Sequence, residues 1–238
     1  GDYPVGIVAG DFENTNKNFT NVEFVIVDGV LKINPITENT ITITANSASK
    51  IYDGTPLTNN GFTFTKDVLV EGDVLTAVVE GSATNVGDPG VNKVTSYAVK
   101  RGETDVTKNY TFGNSIDGKL TINKRTVTLT SETASKEYDG TPLTKPEVAV
   151  TGDGFVAGEV SDITATGSVT FVHEGEVTNT ITYTTGEKFN ADNYTITKNE
   201  GKLSITQRTG EGKTITVTAN SDEKVYDGAP LTNNGFTH

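Results

Sequence analysis

The residues of this chain best equipped for chemistry recur as a set. Lys50, Tyr52, Asp53, Gly54 and Pro56 return as Lys136, Tyr138, Asp139, Gly140 and Pro142, and again as Lys224, Tyr226, Asp227, Gly228 and Pro230. A lysine three positions before an aspartate can form an ion pair. It could also condense with an asparagine or aspartate into an isopeptide cross-link if a buried carboxylic acid assisted. Asn109 and Asn193, which recur near the end of each repeat, are the candidate partners. The acids Asp67, Glu71 and Asp73, or Asp11 and Glu13, could offer oxygens to calcium, which takes roughly six to eight. No stretch matches an EF-hand or a nonapeptide calcium loop. His173 and His238 have no companions in sequence for a triad or a zinc site. The plainer reading of the recurring set is structural. Asp-Gly followed two residues later by Pro is turn chemistry that every copy of a fold would need. The tyrosine is then an anchor packed under the turn, its hydroxyl on a backbone group. No catalytic signature stands out, so the chain reads as non-enzymatic.

The spacing of that set fixes the organisation. The tyrosines lie 86 residues apart (138 − 52) and then 88 (226 − 138), a period that means tandem copies of one domain. Residues 1–35 read as the closing part of a truncated repeat, 36–123 and 124–207 as complete repeats, and 208–238 as a linker and the opening of another. Each complete repeat opens on alternating apolar and polar residues, Ile41-Thr42-Ile43-Thr44-Ala45 and Val127-Thr128-Leu129-Thr130, the period of a half-buried strand. Further strands are expected at 74–80, 93–99, 110–112, 147–151, 167–172, 178–184, 194–197 and 202–205. Residues 68–73 suit a tight turn or one helical turn. Asp28-Gly29, Asp117-Gly118 and Glu200-Gly201 read as turns of a terminal hairpin. Short strands with turn signals and no helical periodicity point to an all-β protein of tandem Ig-like β-sandwich domains in an elongated rod. β-grasp-like repeats are the alternative if 66–80 is helical. The short joint at 123–126 should be stiff, and the joint at 208–213 looser.

Composition narrows the function. A net charge of −12 argues against nucleic acid, which demands clustered cations. Cysteine, methionine and tryptophan are absent, which removes disulfides, thiolate chemistry and the strongest sugar-stacking side chain. The lack of methionine implies an excerpt from a longer chain. No apolar run is long enough to insert in a membrane. Asn18-Phe-Thr, Asn109-Tyr-Thr and Asn193-Tyr-Thr match a glycosylation pattern, but their recurrence at one repeat position points to a need of the fold.

Three features together carry a family resemblance. They are the Lys-x-Tyr-Asp-Gly-Thr-Pro-Leu-Thr opening, the central Gly72-Asp73 (Gly158-Glu159 in the second copy), and the close Asn-Tyr-Thr … Gly-Lys-Leu-Thr-Ile. The chain resembles the MBG (YDG-type) repeats of bacterial surface proteins. That resemblance implies extracellular modules of adhesin-like or wall-attached proteins, often of Gram-positive bacteria, acting as stalks or spacers. No cofactor is implied. The partners expected are neighbouring repeats of the chain and, in an alternative reading, a carbohydrate or host ligand. The incomplete ends suggest a further partner, another copy whose tail completes this chain's head.

Overall fold

β-branched residues alternate with small polar ones along the opening strand of each repeat, and this pattern buries one face and wets the other. Ile41, Ile43 and Ala45 are buried in the first complete repeat, as are Val127 and Leu129 in the second. The structure, a computed structural model, describes residues 2–210 and 214–238. It is all-β: among the described residues helix is limited to single 3-10 turns such as Lys66–Val68 and Ala191–Asn193. The condition for a β-grasp arrangement, a helical 66–80, is not met, because Asp73–Glu80 is a strand. Chain contacts divide the molecule between Asn123 and Lys124.

In the first unit the opening stretch changes partners as it runs. Ile36–Ile41 pairs in parallel with Tyr110–Phe112, Ile43–Ala45 pairs antiparallel with Phe62–Phe64, and Ala48–Ile51 pairs in parallel with Gly118–Asn123. Gly118–Asn123 then meets Val91–Arg101, which pairs with Asp73–Glu80 at the sheet edge. One cluster of Ile41, Ile43, Val68, Leu75, Val99 and Tyr110 forms the core. Ahead of it, Asp2–Pro4 pairs antiparallel with Val30–Lys32.

The second unit repeats the plan. Arg125–Ser131 lies between Val148–Gly152, antiparallel, and Tyr194–Asn199, parallel. Ala134–Glu137 pairs in parallel with Gly201–Thr206, which also takes Val177–Asn179 antiparallel. Even the register is kept: Leu120 faces Ala48 and Ile122 faces Lys50, while Leu203 faces Ala134 and Ile205 faces Lys136. In the last stretch Thr218–Ala219 pairs with Phe236–Thr237, as Thr44 and Ala45 pair with Thr63 and Phe62. Half of the expected loose joint at 208–213, residues 211–213, lies outside the described residues.

The expected terminal hairpin is corrected. Tyr110–Phe112 and Gly118–Asn123 do not fold back on one another. They follow one path, each running parallel to a successive part of the opening strand. Gly118 is there for proximity rather than for a turn. A Cβ built on it would sit 2.4 Å from the Asn46 carbonyl oxygen, and one on Gly201 would sit 2.3 Å from that of Glu132. Neither glycine has a positive φ, so the Asp-Gly and Glu-Gly pairs signalled a close backbone crossing, not a left-handed turn.

Candidate functional site

The recurring set builds one turn in all three copies. Lys50 ends the Ala48–Ile51 strand just short of its last residue, and Asp53 and Gly54 reverse the chain. Gly54, Gly140 and Gly228 hold φ of 78°, 84° and 79°, a region where a side chain is strained. The Asp53 carboxylate accepts from the Thr55 amide at 2.9 Å and from its hydroxyl at 2.7 Å. The Lys50 ammonium donates to Asp53 and Thr55 Oγ1, each at 2.7 Å, and to the Pro56 carbonyl at 3.5 Å. Lys136 does the same with Asp139, Thr141 and Pro142. Lys224 binds Asp227 at 2.7 Å and the Pro230 carbonyl, with Ala229 standing where the threonines were. The lysine nitrogens are thus placed on the carboxylates of their own turns.

Lysine, threonine hydroxyl and threonine amide together hold the Asp53 and Asp139 carboxyls far below the usual carboxylate range. Asp227 is lowered as well, first by Lys224 and then by the Ala229 amide. A carboxyl depressed in the folded state contributes stability above its unfolded pKa, about 3.9, and loses it as pH falls toward the folded value. The melting temperature should therefore fall with acid below about pH 4. Asp139→Asn should flatten that slope for the second repeat, and a slope unchanged by Asp139→Asn and Asp53→Asn would place the acid sensitivity elsewhere.

The tyrosines do not share one role. Tyr52 is buried at 4% exposure, as an anchor should be, but Tyr138 is 37% exposed and Tyr226 92%. Exposed Tyr138 stacks instead on Phe171 at 6.2 Å, and the His173 ring stacks on Phe171 at 5.4 Å. In the first repeat Asn85 stands where Phe171 stands. The alignment is fixed by Asp88 and Glu174, which accept the amides of Thr84 and Asn85 and of Thr170 and Phe171 respectively. The aromatic strip therefore belongs to the second repeat: at the positions of Phe171 and His173 the first repeat has Asn85 and Gly87.

Two buried polar arrangements were missed by sequence reasoning. The Tyr110 hydroxyl donates to Asp73 and accepts from the Val70 amide at 3.0 Å, while Arg101 Nε binds Asp73 at 2.6 Å. The phenol and the arginine lower Asp73, and burial, then Asp73 itself, raises Tyr110. In the second repeat the Tyr194 hydroxyl donates to buried Glu159 at 2.7 Å and accepts from the Val156 amide at 3.1 Å. Gly-Asp or Gly-Glu recurring ahead of Asn-Tyr-Thr was the available signal; nothing in sequence joined the acid to the tyrosine. Tyr194→Phe removes a donor from a buried carboxylate and should destabilise the second repeat by about 2 kcal/mol, read by urea unfolding. A loss under about 0.5 kcal/mol would mean that water replaces the phenol.

The second arrangement is a pair of asparagines. Asn92 is fully buried and its Nδ2 donates to the Asn46 and Asn59 carbonyls at 2.8 and 2.7 Å. Asn179, also fully buried, donates to Glu132 and Lys145 at 3.2 and 2.9 Å. The recurring Asn-x-Val/Ile-Thr (Asn92–Thr95, Asn179–Thr182) was the legible trace. Among the calcium candidates, Asp73 faces Tyr110 and Arg101, and Asp11 accepts the Val8 amide. Among the described residues no three His, Asp or Glu side chains converge on a metal-sized space, and no helix is long and apolar enough to cross a membrane. No family model, curated protein or solved structure matches this chain.

Proposed function

We propose that this chain is a non-enzymatic spacer segment of a bacterial surface protein, built from tandem Ig-like β-sandwich repeats of the MBG type arranged as a rod outside the cell. The observation that carries the reading is the recurring turn. Its lysine, aspartate and proline engage one another in the same way in every copy. A motif whose polar groups are used inside its own repeat recurs because the fold requires it, not because a ligand does. The buried acid–tyrosine pairs have the same character: each closes a repeat on itself.

Small-angle scattering tests the rod. A compact globule of this length has a radius of gyration of about 18 Å. A chain of spaced repeats should exceed that clearly, and a value close to it would remove the spacer reading. A second reading, contact with carbohydrate, is favoured by the exposed Tyr138–Phe171–His173 strip, since stacked rings are the usual way to meet a sugar face. An array of glycans with soluble starch, mucin and peptidoglycan discriminates the two. A hit lost in Phe171→Ala turns the second repeat into a binding module. A blank array leaves the spacer.

A further inference from the structure

The two complete repeats treat the same sheet edge in opposite ways. In the first, Asp73–Glu80 pairs with Val91–Arg101 on one side, and among the described residues no strand pairs with its other side. Its register breaks only between Val78 and Val79, where the extra residue is Thr95 of the inner strand. The edge strand itself therefore runs unbroken for 8 residues. Along it Val74 and Val78 are 60% and 49% exposed on the outer face, with exposed Thr76 between them. In the second repeat the counterpart is Val160–Ala165, paired with Ile181–Thr185. There two edge residues, Asp162 and Ile163, stand opposite Tyr183 alone. Asp162 takes a φ of 52°, a left-handed conformation that few residues other than glycine adopt. A bulge and a charge in an edge strand are the usual means of refusing another strand. Asp162 stands at the place of Thr76, as Glu159 stands at that of Asp73. The second repeat blunts its edge, and the first leaves its edge open.

We infer that two copies of this chain pair antiparallel through Asp73–Glu80, edge to edge about a two-fold axis at Thr76. The free backbone groups set the register. Val99 turns its amide to Thr107 Oγ1 and its carbonyl to the Val106 amide, each at 2.9 Å, away from the edge strand. Leu75, which faces Val99, therefore sits in a pair without ladder bonds, and bonding groups alternate along an antiparallel strand. The amides and carbonyls of Leu75 and Ala77 then point out from the sheet edge. With Thr76 opposite the partner's Thr76, Leu75 meets the partner's Ala77 and exchanges both backbone bonds with it, and the symmetric pair does the same. On the outer face Val74 lies against the partner's Val78, an apolar pair repeated by symmetry, with the two threonines between. Glu80 falls opposite the partner's Gly72, so no two like charges face each other across the contact. The same contact made by the second repeat would set Asp162 against its own copy, a like-charge pair at the axis. An isologous contact needs this self-complementarity, and strand addition at an edge draws its affinity from the main chain. The inference does not depend on the spacer role.

Light scattering of the 25.2 kDa polypeptide from about 10 μM to about 1 mM should show its mass rise toward twice that value. Each copy carries a net charge of −12, so added salt should tighten the pairing. Thr76→Asp, which gives the first repeat the charge that the second already has, should hold the mass at the monomer, and so should Thr76→Lys. Thr76 is exposed, and both variants should keep the circular dichroism of the parent. Mixed in equal amounts, the two should form a dimer again, because opposite charges then meet at the axis. A monomer at every concentration overturns the inference. So does association that Thr76→Asp and Thr76→Lys leave intact, which would place the contact elsewhere, and so does a mixture that stays monomeric.

Discussion

Asn179→Ala should destabilise the second repeat by about 3–5 kcal/mol, a large part of what a domain of this size possesses. The side chain is fully buried. Its Nδ2 ties the Glu132 carbonyl, at the bend of the opening strand, to the Lys145 carbonyl, and its Oδ1 accepts the Gly167 amide at 3.1 Å. Alanine removes all three bonds made by this buried side chain, and two carbonyls and one amide lose the partner it supplied. The cost is the desolvation of each, not the modest net value of an exposed bond. Asn92→Ala should cost the first repeat less. Only the two Nδ2 bonds are lost there, since Asn92 Oδ1 is buried without a hydrogen-bond partner. Urea unfolding with hydrogen exchange assigned by repeat checks both, and an Asn179→Ala loss under about 1 kcal/mol would show that the site admits water.

The second large effect belongs to Gly201. Alanine there places a Cβ 2.3 Å from the Glu132 carbonyl oxygen and 2.4 Å from its carbon. Backbone atoms cannot swing aside as a side chain tip can, so the opening and closing strands must separate. The parallel ladder from Ala134–Leu203 to Glu137–Thr206 weakens with them. We expect more than about 3 kcal/mol, with amide protection lost along 203–206. Gly140→Ala is the matched comparison. Its φ of 84° carries strain, but its Cβ would meet nothing within 4 Å, so its cost should stay near about 1–2 kcal/mol. If Gly140→Ala proved the costlier change, backbone strain rather than strand proximity would govern these glycines.

Much of this was legible in the chain. The alternation at 41–45 and 127–130 marks strands because period two separates a buried face from a wet one. Asp-Gly-x-Pro marks a turn because only glycine accepts its φ without strain and proline bonds no ladder. Strand positions such as Tyr110–Phe112 follow from β-branched and aromatic content between turn residues. The terminal glycines misled for a physical reason: glycine answers two different demands, a positive φ and a close approach, and sequence does not say which. Phe171 was legible only as an aromatic residue, since its stacking depends on Tyr138 lying across from it.

Repetition, residue patterning and composition by themselves determined the repeat length, the recurring turn, the all-β character and the lack of cysteine, because these depend on local spacing and residue type. Only the tertiary structure decided that the closing strand runs parallel beside the opening one, that Asp73 meets Tyr110 and Glu159 meets Tyr194, and that Asn92 and Asn179 clamp distant carbonyls. The side-chain contacts join residues between 33 and 47 positions apart, and the parallel strand pairs join residues 69 and 72 apart (203 − 134 and 120 − 48). At that separation no periodicity records a partner, and the choice is made by which buried donor and acceptor the packed sheets bring within reach.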